Sequence, residues 1–263
     1  MRPLQPAPRA HSSATRRWLP GLLVLLAGLM AAPASAQQGP CRPLTHEGTA
    51  YTVCSLDPAQ ADLRLFLRAP DGLPLGSFAR LEAMLATQGN ALAFAMNAGM
   101  YHADRRPVGL YIEDGREEMR AIPTPGPGNF GMLPNGVLCL GAGFARVIET
   151  RAYMASPPAC RFATQSGPML VIGGALHPRL LPDGTSRFIR NGVGVDAAGH
   201  VHFAISESPV NFHAFARLFR DGLGTPDALY LDGRISRLYA PGLGRADGGL
   251  PMGPIVGAVV PTE

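Results

Sequence analysis

Hydrophobic and polar positions follow two different periods along this chain. Tyr51–Leu56 and Leu63–Leu67 alternate or run apolar, as short strands do. Ala91–Met96 is apolar throughout and stops at Asn97-Ala98-Gly99, the pattern of a buried strand that delivers a polar residue to a cleft. Before it, Ser77–Gln88 reads as a helix: Phe78, Leu81 and Leu85 share a face, Ser77 caps the start and Gly89 stops it. Val108–Ile112 and Arg116–Ile122, joined through Asp114-Gly115, predict a hairpin. Pro134-Asn135-Gly136 predicts another, between Phe130–Leu133 and Val137–Leu140.

Met169–Ile172 and Asn191–Val195 add strands, and His200–Ile205 pairs back across Asp196–Gly199. A second helix runs over Phe212–Asp221, with Phe212, Phe215, Ala216 and Phe219 facing the core, Asn211 as cap and Gly222 as stop. Strands at Ala228–Leu231, Ile235–Tyr239 and Ile255–Val260 complete the series. Residues 37–49 carry no such pattern and predict an irregular entry arm. Many hairpins with two or three helices predict a single α+β domain over residues 50–263, around a mixed or antiparallel sheet.

The first residues have a different character. Arg2, Arg9, Arg16 and Arg17 precede an apolar run from Leu22 to Ala32, and no acid occurs before Glu47. Pro33 and the small triplet Ala34-Ser35-Ala36 follow, the order that a signal peptidase reads. A bilayer span takes roughly 20 apolar residues, so the run predicts a cleaved signal over residues 1–36. A periplasmic or secreted product follows, with no stable membrane insertion after cleavage.

The leader changes the charge reading. Its four arginines account for the whole formal net charge of +4, so the high isoelectric point argues for no nucleic-acid partner. All 23 basic residues are Arg, which excludes Schiff-base chemistry and a phosphate-loop Lys. Cys41, Cys54, Cys139 and Cys160 all lie beyond the leader. An even number in an exported chain suggests disulfides, and the sequence neighbours, Cys41–Cys54 and Cys139–Cys160, are the preferred pairing.

Several standard chemistries are missing: no H-E-x-x-H, no G-x-S-x-G, and no G-x-G-x-x-G opening a helix. His200 and His202 share a strand face as a metal pair would. Opposite the apolar Val201, Phe203 and Ile205, they are expected to face solvent instead. No metal ligands are assigned and no cofactor is called for, though a structural calcium held by loop carbonyls leaves no sequence signature.

The informative residues are polar groups stranded at the ends of apolar runs. Asn97 follows Ala91–Met96, Asp232 follows Ala228–Leu231, and Glu207 ends the His200–Ser206 strand on the parity of its core-facing side chains. A carboxylate so placed needs a partner. Arg190, beside Asn191-Gly192-Val193-Gly194, is the expected one. The same dipeptides also serve simply to form turns.

Four segments occur in order: Asn97-Ala98-Gly99-Met100-Tyr101, Gln165-Ser166-Gly167-Pro168-Met169-Leu170, Arg190-Asn191-Gly192-Val193-Gly194-Val195 and Leu231-Asp232-Gly233-Arg234-Ile235-Ser236. The series resembles the phosphodiester glycosidase domain family from about Tyr51 to the C-terminus. That family includes the enzyme that uncovers mannose 6-phosphate, and many exported bacterial proteins.

The resemblance implies hydrolysis of the sugar–phosphate bond of a small-molecule or glycan phosphodiester. That reaction needs a cation at the phosphate, for which Arg190 suits, and a carboxylate at the sugar, for which Asp232 is preferred and Glu207 is a second candidate. Asn97, Gly99, Ser166, Gly167, Asn191, Gly233 and Ser236 are expected around the substrate. Two departures stand out. Ala98 replaces a glycine of the first motif, and Arg234-Ile235 replace two glycines of the last. Loss of those glycines leaves a second reading, a non-catalytic binding module for envelope glycans on the same fold.

Overall fold

The computed structural model describes residues 1, 3–7, 9, 39–232 and 234–262. The expected signal run Leu22–Ala32, its cleavage triplet and Gly233 lie outside the described residues. Residues 37–263 cluster as one compact unit. No helix of the described residues is long and apolar enough to cross a membrane.

Three antiparallel sheets form this unit. The largest has seven strands, in the order Cys41–His46, Thr49–Leu56, Val201–Ser206, Asn191–Val195, Asp227–Asp232, Met169–Ile172 and Ala175–Leu176. A second runs Arg245–Ala246, Leu238–Ala240, Asn90–Asn97, Ile255–Pro261 and Asp62–Phe66. A third runs Arg116–Met119, Tyr111–Glu113, Phe162–Ser166, Gly136–Gly141 and Phe144–Glu149.

The sheets turn one face each toward a common core that includes Leu65, Phe94, Met96, Leu138, Phe203 and Leu229. The rings of Phe94 and Phe203, from different sheets, lie 5.0 Å apart at its centre. Each outer face is covered by one helix. Phe78–Ala86 buries Phe78, Leu81 and Leu85 against Phe66, Leu92 and Val259. Phe212–Arg217 lays Phe215 against Tyr51, Leu170 and Tyr230. The short helix Thr150–Ala155 sets Tyr153 against Ile112 and Val137.

Covering on both faces explains why Ala91–Met96 is apolar without alternation. Phe94 and Met96 enter the common core, while Leu92 and Ala95 meet the helix. The side chains Leu81 and Leu85 are wholly buried, and each such Leu contributes about 1.5–3 kcal/mol of burial.

The α+β expectation holds, with the sheets antiparallel. Ser77 caps the first helix as expected, its Oγ accepting from Arg80 N at 3.2 Å. Asp114 and Gly115 both take positive φ, 52° and 77°, which the tight hairpin turn requires. Cys41–Cys54 and Cys139–Cys160 are the disulfides formed.

Three local readings need correction. The supposed irregular arm contains the strand Cys41–His46, paired with Thr49–Leu56 from Cys41↔Cys54 to His46↔Thr49. It is an edge strand with exposed Arg42 and Pro43, so it shows no buried alternation.

Pro134-Asn135-Gly136 makes no hairpin turn. Asn135 is fully buried and its Nδ2 donates to Phe130 O and Ile122 O, closing a loop, while Gly136–Gly141 pairs with Phe144–Glu149 instead. The strand expected over Ile235–Tyr239 is confined to Leu238–Ala240, because side-chain hydrogen bonds of Asp232 and Ser236 hold residues 234–236 in a loop. The helix expected to reach Asp221 does so, its last stretch, Leu218–Gly222, winding as a π-helix.

Candidate active site

A buried polar seam joins the largest sheet to the second one where their strands end. Asn97 closes the strand Asn90–Asn97 and Asn191 opens Asn191–Val195; both are fully buried. Asn191 Nδ2 donates to Asn97 O at 2.8 Å, and Asn97 Nδ2 donates to Asn191 Oδ1 at 3.3 Å. Asn191 Oδ1 also accepts from Asp232 N at 3.1 Å, and Asn97 Oδ1 accepts from Arg237 N at 2.8 Å. Ser236 Oγ lies 2.8 Å from Asp232 O, 2.9 Å from Ile189 O and 3.2 Å from Asn191 Oδ1, and its one proton serves one of them. Ser166 Oγ donates to Leu231 O at 2.7 Å.

These bonds fix the backbone on both sides of Asp232. Inside a low-dielectric seam, each polar group must be satisfied or it costs about 1–3 kcal/mol. Asn97, Asn191, Ser166 and Ser236 thus come together around Asp232, as a frame rather than as a ligand surface. Gly99 and Gly167 belong to the same packing. A Cβ on Gly99 would overlap Thr164 Oγ1 and Gln165 O, and one on Gly167 would lie 2.8 Å from Asn135 Cβ.

Asp232 itself is half-buried and borders a cleft of about 710 Å³. The lining comes from Met100–Ala103, Arg105 and Val108, from Ile122 and Thr124–Phe130, and from Asp232, Arg234, Ile235 and Leu250. Asp232 Oδ1 accepts from Arg234 N at 3.0 Å, which turns the Arg234 side chain out at the cleft. Tyr101 stands near both charges. The Arg105 guanidinium carbon lies 5.5 Å from its ring centre, and burial, with help from Asp232, pushes its phenol above the ordinary value. Neither Arg105 nor Arg234 has a carboxylate partner among the described residues.

Arg190 lies elsewhere. Its side chain is fully buried, with the guanidinium carbon 3.5 Å from the ring centre of Phe212 and 5.3 Å from that of Tyr230. Nε donates to Val210 O and Nη2 to Ser186 O, both at 2.9 Å, and Nη1 is buried without a hydrogen-bond partner. Burial pulls its pKa down, with the Tyr230 phenol opposing. It borders the aromatic packing under the second helix, not the cleft.

Nor does Arg190 pair with Glu207. That carboxylate is exposed and bonds to Arg245 Nη1 and Thr52 Oγ1, both at 2.6 Å, in a separate cleft with Tyr51 and Leu243. The strand ends at Ser206 and the chain bends, so the alternation that pointed Glu207 inward stops one residue too soon. His200 is exposed as expected, whereas His202 is half-buried, between Ser55 Oγ at 2.8 Å and Asp196 Oδ2 at 3.1 Å. No group of three metal-ligating side chains gathers among the described residues.

Sequence reasoning missed two kinds of residue. Nothing in an irregular stretch marks Arg105. Gln165 lies in a motif with no sign of its role, yet its buried amide organises a wall of the cleft. Its Oε1 accepts from Leu110 N and Ile122 N, and its Nε2 donates to Ile122 O and Thr150 Oγ1.

The site is a carboxylate at a cleft that two guanidiniums also line, on a fold of three antiparallel sheets. The chain belongs to the phosphodiester glycosidase family, whose sequence profile matches residues 90–246. It is 35% identical over 193 residues to the uncharacterized protein YigE of Escherichia coli K12, covering 73% of this chain and 74% of that one.

Among solved structures, the zebrafish N-acetylglucosamine-1-phosphodiester α-N-acetylglucosaminidase catalytic domain, auto-inhibited by its pro-peptide, superposes with a TM-score of 0.56. Identity is 12%, over 83% of this chain and 81% of that one. A Burkholderia pseudomallei K96243 protein named as exported gives 0.56 at 14% identity, over 80% of this chain and 74% of that one. A hypothetical protein from Synechocystis gives 0.54 at 14% identity, over 84% of this chain but only 61% of its own length. At these identities the structural likeness establishes the fold alone.

Proposed function

We propose that this protein hydrolyses the sugar–phosphate bond of a glycosyl phosphodiester, outside the cytoplasm, with Asp232 as its essential carboxylate. The observation that carries this reading is the placement of Asp232. A frame of buried amides fixes its backbone, and it borders a cleft that also carries the guanidiniums of Arg105 and Arg234, which have no carboxylate partner among the described residues. Family membership supports the reaction class. The two disulfides, the basic-then-apolar N-terminus and a relative named as exported support the compartment.

The chemistry suits these groups. An ordinary glycosidase must protonate a strongly basic leaving alkoxide. A phosphate monoester has a second pKa of only about 6, so it departs with the bonding electron pair and needs no general acid. Water adds to the anomeric carbon as the carbon–oxygen bond to phosphate breaks. Asp232 takes the water proton or steadies the cationic sugar. Arg105 and Arg234 bind the phosphate oxygens, for which guanidinium forks are well matched. Arg234 occupies a position where the family usually has glycine, so the departure that casts doubt on the motif supplies a cation to the cleft.

Hydrolysis of synthetic glycosyl phosphodiesters in isotope-labelled water tests this. The expected label is in the free sugar. Label in the phosphate would show cleavage on the other side of the bridging oxygen. No turnover across a panel that is nevertheless bound would favour the glycan-binding module.

A further inference from the structure

The cleft combines charged and apolar side chains. Arg105 stacks on Tyr101, and Arg234 N donates to Asp232 Oδ1 on the same lining. Val108, Ile122 and Phe130 add apolar side chains. The Gln165 amide holds Leu110 and Ile122 together, and a Cβ on Gly109 would lie 2.6 Å from Phe130 Cζ, so the Ile122 and Phe130 segments pack against Gly109 and Leu110, next to Val108. Ile235 and Leu250 extend the apolar lining, and Leu250 is 69% exposed.

Beside the polar His102, Thr124 and Asn129 of the same cleft, these apolar side chains are ill suited to a second sugar. A sugar aglycone brings several hydroxyls, and burying each against carbon without a partner costs about 1–3 kcal/mol. An exposed leucine beside half-buried Ile122, Val108 and Ile235 gains only from apolar contact with a ligand.

We propose that the phosphodiester bound here is amphiphilic: its phosphate lies at Arg105 and Arg234, and its aglycone is an alkyl or alkenyl chain laid along Val108, Ile122, Phe130 and Leu250. The inference rests on the phosphodiester reading above and adds the class of aglycone.

Calorimetric titration of the mature protein with methyl, butyl, hexyl and octyl phosphate, all below micelle-forming concentrations, tests it without turnover. A fully buried methylene tightens binding about fourfold. The open cleft captures part of this, so the expected gain from methyl to hexyl phosphate is on the order of tenfold or more. Leu250→Asp, at an exposed position that folding tolerates, should flatten the series. Arg234→Ala should weaken every member by a similar factor.

Methyl phosphate binding with no gain along the series overturns the aglycone assignment and leaves the phosphate site standing. A series that stays steep in Leu250→Asp also overturns it, since the chain then binds elsewhere. Failure of every alkyl phosphate to bind overturns both this inference and the phosphate reading beneath it.

Discussion

Arg190 and Arg234 bring the same group into opposite surroundings. Arg190 is sealed beneath Phe212, its Nε and Nη2 donating to the carbonyls of Val210 and Ser186. Arg234 is exposed beside Asp232 on the cleft wall, its backbone N donating to Asp232 Oδ1. The first ties two chain segments together across the packing of the second helix. The second has its five donors available to a ligand. A motif in the sequence registers both as an arginine next to a glycine-rich turn, and only the sheet face and the loop decide which one meets solvent.

The sharpest way to break this comparison is at the residue between them. Asp232→Asn keeps the side chain's shape, the acceptor for Arg234 N and the backbone bonds to Asn191. It removes the negative charge, so turnover should fall by about 10²–10⁴ while the melting temperature barely moves. Steady-state kinetics on a hydrolysed phosphodiester, with calorimetric melting, checks both halves. Normal kinetics would remove Asp232 from the chemistry.

Arg190→Lys should do the reverse. Lysine keeps a charge but cannot reach Val210 O and Ser186 O in the same planar geometry, and each charge-assisted bond is worth roughly 1.5–3 kcal/mol. The melting temperature should drop by roughly 5–10 °C, with kcat per folded molecule unchanged. A fall in kcat with an unchanged melting temperature would restore Arg190 as a phosphate-binding group.

Asn191→Ala removes the hub of the seam. It orphans Asn97 O and Asp232 N, costing about 2–3 kcal/mol, and it should also lower kcat because Asp232 loses its frame. Arg234→Ala is expected to spare stability altogether. It should lower kcat/KM by about ten- to a hundredfold, with a loss that shrinks as salt rises.

What could be read in advance divides along the same line. The helix over Phe78–Ala86, the Asp114-Gly115 turn and the delivery of Asn97 and Asp232 to strand ends are all periodic or turn-coded, hence legible. Arg105, Ile122 and Leu250 are not, because the cleft walls come from aperiodic loops, and Ile122, for one, is positioned by Gln165 and Asn135 through hydrogen bonds distant in sequence. Alternation also says nothing about where a strand stops. One residue past the end of Val201–Ser206 was enough to send Glu207 outward. The strand Cys41–His46 escaped notice because an edge strand with exposed Arg42 and Pro43 has no apolar signature.

Glu207 supplies the smallest expected effect and the closing control. Its side chain is 37% exposed and shares Arg245 with Asp247, which bonds the same guanidinium at 2.9 Å. Glu207→Gln keeps an acceptor for Thr52 Oγ1 and leaves Arg245 paired with Asp247. A partly exposed ion pair of this kind contributes about 0–1 kcal/mol, so the melting temperature should shift by roughly 2 °C or less. Because Glu207 opens onto a different cleft from Asp232, kcat and KM should both be unchanged. A loss of rate comparable to that of Asp232→Asn would mean that the two carboxylates work on one substrate. The assignment of the chemistry to the cleft at Asp232 alone would then be wrong, and the cleft beside Tyr51 would have to be part of the active site.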